Sequence, residues 1–360
     1  MTTEYRYLVE DVMTGEIGEL PLNNVVYEDY LRRPGALNAT LSLADADANV
    51  ELLDVGRRAY YVMRDQSIEW GGLLMHTSVE LGGTDVQLTG LGWPGWFDMR
   101  DMWIDRQFSA TDQFEIFKTL VDDSQDETNP TNGAGADLGI TVTWSTLSGV
   151  LRDRLEEYRY FSGKNLGAAL RELAALEDGF DFRMDYAISA GGGSIDKSLV
   201  LSYPSQGVDR SAEVGFEYVR GEQSNILRRG LSHDASRMAW RKRGWGAGAD
   251  VSRLLSTQIN ESRRGVYPFL DGQGSFSSVV QQATLDDNTA ASLATDDHVI
   301  VLPSIEVDPD IDPKWHTYGI GDTFSVNIDD GYCSASGAHR IIGYRMDADR
   351  DRPTLLLQAA

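Results

Sequence analysis

The stretch Tyr5-Arg-Tyr-Leu-Val-Glu-Asp-Val-Met-Thr-Gly15 alternates through its first half: Tyr5, Tyr7 and Val9 fall on one side of an extended chain, and Arg6, Leu8 and Glu10 on the other. Thr14-Gly15 then supplies a turn and Ile17 to Leu22 a return segment, so the chain opens with a hairpin. Further extended segments follow at Leu37 to Leu43, Ala59 to Arg64, Ile68 to His76 and Val86 to Leu91. They are separated by Gly, Asp and Asn, which tolerate the tight backbone bends of turns. Short strands at this spacing predict a barrel or sandwich.

After Gln107 the period changes. Thr111 is placed to cap a helix in which Phe114, Phe117, Leu120 and Val121 recur at helical spacing, before the polar run Asp122 to Asp137. A second helix is expected from Asn165 to Asp178, with Leu166, Leu170, Leu173 and Leu176 on one stripe and Gly179 as its stop. Phe180 to Tyr186 alternates as a strand, and Gly191 to Ser194 forms a bend. A second β-rich stretch then takes in Leu199 to Tyr203, Glu213 to Tyr218 and a series from Tyr318 to Gln358, with one helix between Leu285 and Ala294. Strands at both ends and helices in the middle give an α+β, mainly β, class rather than an alternating α/β sheet. The expected division is 1–107, a first β unit; 108–190, a helix-containing α/β insertion; and 191–360, a second β unit ending in the C-terminal strands.

The two β units carry an internal echo. Val55-Gly56 leads into Tyr60-Tyr-Val-Met-Arg-Asp65 and a return strand, and Ile320-Gly321 leads into Phe324-Ser-Val-Asn-Ile-Asp329 and a return strand.

Chemistry is sparse. The histidines at 76, 233, 298, 316 and 339 show no spacing that would set two imidazoles on one helix face, so no metal ligands are assigned. Gly192-Gly-Ser194 and Gly274-Ser275 lack the second glycine of a nucleophile elbow. Asp308-Pro-Asp-Ile-Asp-Pro-Lys314 and Asp45-Ala-Asp-Ala-Asn49 begin like calcium loops, but the first has Pro313 where Gly is needed and Gly319 where Glu is needed. No catalytic, cofactor-binding or metal residue is assigned, and no cofactor is expected.

Two stretches are read as contacts. Gly90-Leu-Gly-Trp-Pro-Gly-Trp-Phe97, with no following Lys, is no phosphate loop; Trp93, Trp96, Phe97 and Trp103 fit a domain junction or subunit contact, which favours aromatics. The island Arg237-Met-Ala-Trp-Arg-Lys-Arg-Gly-Trp245 offers Arg241, Lys242 and Arg243 as a basic contact patch. Its alternative is a strand with Trp240, Lys242 and Gly244 on one side, and Arg241 and Arg243 meeting the acidic remainder of the protein.

That remainder is large: 56 acidic against 32 basic side chains give a formal charge of −24, which opposes binding to phosphate backbones or anionic lipid. The single Cys333 rules out an intramolecular disulfide. The N-terminus has neither a basic nor an apolar signal region, and no apolar run approaches the ~18 residues of a membrane-spanning helix.

In segment order the chain resembles the tail-hub or minor tail proteins of siphoviruses that infect actinobacteria. The segments are Tyr5 to Gly15, Glu19-Leu-Pro-Leu22, Pro34-Gly-Ala-Leu-Asn-Ala-Thr-Leu41, Gly56-Arg-Arg-Ala-Tyr-Tyr-Val62 and Ile68-Glu-Trp-Gly-Gly-Leu73 in the first part. Asn225-Ile-Leu, the helix near Leu285 to Ala294 and Tyr318-Gly-Ile-Gly-Asp322 follow. The resemblance implies two similar β-barrel tube domains joined by an α/β insertion, with three chains forming a ring. It implies a trimeric tail-tip or baseplate hub that closes the tail tube, adapts a six-fold tail to a three-fold tip and lines part of the DNA-ejection channel. The implied partners are the distal tail protein ring, the tape measure protein and tip fibre or adhesin proteins. DNA would pass through the lumen without specific binding, and the protein would reside in the virion after assembly in the host cytoplasm. The alternatives are a carbohydrate-binding adhesion protein, which exposed aromatic rows along one sheet would favour, and a glycan hydrolase with two facing carboxylates. The chain ends at Gln358-Ala-Ala360 directly after its last expected strand, which argues against an appended enzyme domain.

Overall fold

The computed structural model of the chain describes residues 3–45, 47–219, 224–248, 252–276, 279–297, 300–330 and 333–360. Of the residues weighed above, Ala46 in the Asp45 to Asn49 run and His298 lie outside them. The first part is all strand: β1 (Tyr5–Asp11), β2 (Ile17–Glu19), β3 (Leu22–Tyr30), β4 (Ala36–Ser42), β5 (Arg58–Arg64), β6 (Ser67–Val79) and β7 (Asp85–Gly92). Next come β8 (Arg106–Asp112), α1 (Gln113–Gln125), β9 (Ile140–Thr143), β10 (Leu151–Tyr158), α2 (Leu166–Ala174), β11 (Asp181–Ile188) and β12 (Ile195–Ser202). The last part holds β13 (Phe216–Val219), β14 (Ile226–Asp234), β15 (Arg241–Trp245), β16 (Leu255–Ile259), β17 (Asp271–Ser275), α3 (Gln282–Asp296), β18 (Ile300–Val307), β19 (Thr323–Asp330), β20 (Cys333–Asp347) and β21 (Arg352–Ala359).

One sheet of 13 strands runs β14-β18-β21-β20-β3-β4-β7-β6-β5-β1-β2, with β19 beside β20 and β13 beside β19. The opening hairpin is there, with Leu8 opposite Glu19. The expected pair of closed barrels takes another form: among the described residues no barrel closes, because β20 turns one edge to β3 and carries the sheet from the C-terminal strands into the N-terminal ones. By contacts the chain divides into Met1–Arg229 with Ser304–Ala360, and Gly230–Pro303.

In the first unit, β5 explains why two cores can share one sheet. Its run Ala59-Tyr-Tyr-Val-Met63 is apolar at every position, the mark of a strand buried on both faces. Tyr60 and Val62 join a core with Val9, Tyr27, Trp70, Phe324 and Leu355. Ala59, Tyr61 and Met63 join a second core with Trp93 and Phe97, and with Phe117, Leu170 and Phe182 from the insertion. Full burial of each such side chain contributes about 1.5–3 kcal/mol.

The helices depart from expectation at their ends. Asp112, not Thr111, caps α1, its carboxylate accepting from Phe114 N–H at 2.9 Å; Ser148 Oγ and Gly149 N–H donate to it as well, which a neutral threonine hydroxyl would not match. Asn165 caps α2, accepting from Ala168 N–H at 3.0 Å, but the helix stops at Ala174 rather than 178. Phe180 N–H donates to the Ala174 carbonyl, and Gly179 packs so close that a Cβ there would lie 2.2 Å from that oxygen.

In the second unit, α3 packs on the three-stranded sheet β16-β15-β17, with Leu285, Thr289 and Leu293 buried.

Candidate functional site

The long strands β6 and β20, of 13 and 15 residues, hold equivalent places. On β6, Leu74 pairs with Gly90 and His76 with Thr89, leaving Met75 as an extra residue; on β20, Ile341 pairs with Leu357 and Gly343 with Leu356, leaving Ile342. Such one-residue bulges bend a strand and are built-in features. One step before each bulge, Leu73 pairs with Ala59 and Arg340 with Thr323, so Tyr60 and Phe324 are counterparts. Gly56 N–H donates to the Leu74 carbonyl at 2.8 Å and Gly321 N–H to the Ile341 carbonyl at 2.7 Å. Both glycines have positive φ, 78° and 100°, which accounts for glycine at both places. The echo in the sequence is therefore a repeat in structure: β14-β18-β21-β20 and β3-β4-β7-β6 are two four-strand runs in the same order.

The runs meet at a seam. β20 pairs antiparallel with β3 from Gly343 opposite Tyr30 to Asp347 opposite Val26. At the bulge, Leu31 N–H donates to the Ile342 carbonyl at 3.0 Å. Beside the seam lies a cavity of about 360 Å³ whose lining includes Asp29, Glu69, Arg183, His316, Tyr318 and Asp322. Burial pushes the Asp29 carboxyl up to about 7, although Arg183 pulls it down and Tyr30 N–H donates to it at 2.9 Å. Burial pushes Glu69 up to about 7 too, against the pull of Arg64, and Asp29 adds to the rise. His316 Nδ1 stands 3.4 Å from Glu69, while burial and Arg64 hold the imidazole below its usual range. Both acids are thus driven the same way, toward holding their protons near neutral pH.

The aromatic residues singled out by sequence separate by burial. Trp93 and Phe97 are fully buried; Trp96 is half-buried, edge-on to Phe97 at 5.2 Å with the Arg100 guanidinium over its ring; Trp103 is 55% exposed. Lys197 Nζ sits 5.0 Å from the Trp93 ring centroid and pairs with Glu10 at 3.0 Å, so Trp93 lies where β1 and β12 meet. Of the basic residues, Lys242 turns inward with Trp240 and Gly244 and pairs with buried Asp296, so a surface patch retains only the other two. Arg241 pairs with Asp271 at 2.5 Å and Arg243 is exposed. Asp308, in the acidic loop, pairs with Arg352 at 2.8 Å.

Sequence reading missed Asp29, Glu69 and the Glu10–Lys197 pair. The available signal was a lone charge inside an apolar strand, as in Ile68-Glu-Trp70 and Leu8-Val-Glu10. Among the described residues no group of three or more His, Cys, Asp and Glu is placed to hold a metal.

No protein-family model matches the chain, and no curated protein matches its sequence. Solved structures do. A tail protein from Neisseria meningitidis MC58 superposes with a TM-score of 0.59 at 14% identity, covering 98% of this chain and 96% of that one. The 43 kDa tail protein of prophage MuSo2 from Shewanella oneidensis gives 0.61 at 11% identity, covering 99% and 98%. The prophage tail protein gp18 from Listeria monocytogenes gives 0.53 at 10% identity, covering 99% and 94%. Over its whole length the chain has the fold of phage tail proteins.

Proposed function

We propose that this protein is a structural, non-enzymatic component of a phage tail tip, a hub of three identical chains in a siphovirus of actinobacteria. The hub closes the tail tube beneath the distal tail protein ring, meets the tape measure protein within and carries tip fibres or adhesins below. DNA passes through its lumen unbound during ejection, and assembly takes place in the host cytoplasm. Residues 1–107 and 191–360 supply the two similar tube-forming parts, and 108–190 the insertion between them.

The observation that carries this reading is the repeat itself, with its matched bulges at Met75 and Ile342. A chain with two equivalent halves presents six in a trimer, which is what a three-fold tip needs to sit under a six-fold ring. A formal charge of −24 per chain, roughly −72 for three, repels a passing polyanion. The test is light scattering with negative-stain imaging. Rings of three times 39.8 kDa support the hub, and a monomer that stays monomeric in the presence of the distal tail ring overturns it.

A second reading, a carbohydrate-binding tip protein, is favoured by exposed Trp103, Tyr160 and Phe161, at 55%, 55% and 73%. They lie off the sheet on neighbouring segments, Tyr160 N–H donating to Asp105 at 2.8 Å. Binding to host cell-wall glycans that Trp103→Ala abolishes would establish it, and no binding to intact or digested wall would remove it.

A further inference from the structure

The cavity beside the seam carries a charge imbalance that the proposed assembly does not use. Asp29 stands on β3, Glu69 on β6, Arg183 on β11 and Tyr344 on β20, and the loop before β19 completes a lining that belongs wholly to the first unit. Its arginines are already matched. Arg183 pairs with Asp185 at 2.8 Å, and Arg210 with Asp322 at 3.3 Å and Glu213 at 3.2 Å. Near Glu69, Arg64 holds Asp351 at 2.8 Å, has Asp65 at 3.9 Å and donates to His316 Nε2. That bond leaves the imidazole proton on Nδ1, so a neutral ring faces Glu69 at 3.4 Å. Asp29 and Glu69 remain: among the described residues neither forms an ion pair with a lysine or arginine, and the Glu69 side chain is 10% exposed.

The walls suit a cation with an apolar body. Trp315 lies edge-on to Tyr318 at 5.5 Å and to Tyr344 at 5.0 Å. The phenols of Tyr344 and Tyr186 donate to the Glu69 and Gly71 carbonyls, so both residues offer the cavity ring surface and not hydroxyls. Carboxylates and aromatic rings together attract an organic ammonium group. A calcium-type metal takes roughly six to eight oxygen ligands, and no group of three or more His, Cys, Asp and Glu is placed to supply them among the described residues.

We propose that the cavity binds a primary alkylammonium ion, its nitrogen between the Asp29 and Glu69 carboxylates and its alkyl chain against Trp315, Tyr318 and Tyr344. A volume of about 360 Å³ falls in the range of small-molecule sites. In the empty cavity both acids hold their protons near neutral pH, whereas an amine of this class stays charged to about pH 10. Binding therefore releases protons below pH 7, and affinity rises as the carboxyls ionise. The site lies within one chain, so it stands or falls separately from the trimer.

The experiment is calorimetric titration of the full-length chain with butylammonium chloride at about pH 6 and about pH 8, at physiological ionic strength, which screens loose attraction to a chain of formal charge −24. Saturable binding of one ion per chain is expected, tighter at the higher pH by about tenfold for each carboxyl that must ionise, with about one proton per carboxyl released at the lower pH. Butanol, the neutral analogue of the same length, should not bind. Asp29→Asn combined with Glu69→Gln should abolish binding in a chain whose circular dichroism is unchanged. Butylammonium that fails to saturate the parent at the higher pH overturns the site, and so does an affinity equal at both pH values, a reading that needs no variant to fold. Equal binding by the double variant would place the cation on the acidic surface and overturn it too. Displacement by Ca2+ or Mg2+ at equal concentration would mark an inorganic-cation site, with the same result.

Discussion

Lys197 Nζ lies 3.0 Å from Glu10 Oε2, with both side chains buried, and the phenol of Tyr61 donates to the same oxygen at 2.6 Å. β12 and β1 are thereby tied through one carboxylate. Removing one partner strands the other charge in an apolar setting, so Lys197→Met is expected to cost about 3–5 kcal/mol in urea unfolding. Replacing both, Lys197→Met with Glu10→Leu, recovers most of that loss. A single variant as stable as the parent would show that water reaches the pair.

The cavity acids give the protein a pH response. Asp29 and Glu69 each rise to about 7 on folding, so between their ordinary range near 4 and 7 the folded state holds more protons than the unfolded chain. Stability is therefore greatest on the acid side and falls as pH rises through 7, by at most about 4 kcal/mol for a single shift of this size. His316, held low, opposes this on acidification, because the folded state resists its protonation. Arg183 opposes the rise of both acids, Arg64 opposes that of Glu69, and Asp185 adds to that of Asp29. Urea midpoints at pH 5.5 and 8 should differ in the parent and converge in Asp29→Asn combined with Glu69→Gln. An unchanged difference in that double variant would place the response elsewhere.

Trp93, Phe97 and Trp103 should respond to truncation by burial and not by residue type. Trp93→Ala and Phe97→Ala each empty a packed site and should cost about 3–5 kcal/mol. Trp103→Ala, at a position 55% exposed, should stay within about 0.5 kcal/mol in the isolated chain. Thermal melts of the three variants decide this. A large loss from Trp103→Ala would mean that the ring packs against something in solution.

Gly343 tests the seam within one molecule. A Cβ at this position would lie 2.2 Å from Tyr30 Cδ1 and 2.8 Å from the Asp29 carbonyl, so Gly343→Ala must push β3 away. A loss of about 1–3 kcal/mol is expected, with faster amide exchange at 26–30 while 85–92 is unaffected. Uniform exchange changes over the whole sheet would show that the seam has no separate stability.

Much of this fold is written locally. Tyr5 to Asp11 and Ala59 to Arg64 announce themselves by alternation or by unbroken apolar character, because side-chain direction along a strand depends only on neighbours in sequence. The repeat was visible for the same reason, in Tyr60 to Asp65 against Phe324 to Asp329. What stayed hidden depends on partners far along the chain. Nothing near Tyr30 indicates that it faces Gly343, and the two bulges appear only once the strands are paired. Asp112 displaced Thr111 as a cap because Ser148 and Gly149 come to meet its carboxylate, and that loop cannot be placed from local pattern. That Lys242 shares a side with Trp240 and Gly244 was legible from strand alternation, but its partner Asp296, 54 residues on, was not. Asp29 on β3 and Glu69 on β6 line one cavity that neither local stretch announces.

β20 also has a mechanical consequence. Its first half is bonded to β19 and its second half to β3, with β21 alongside the latter, so one uninterrupted strand spans the junction between the two halves. Ladder hydrogen bonds lie across the strand direction. A pull along β20 therefore strains the whole row in shear, whereas a peel from one end would break the bonds singly. Tension along β20 would be shared among many bonds instead of falling on one.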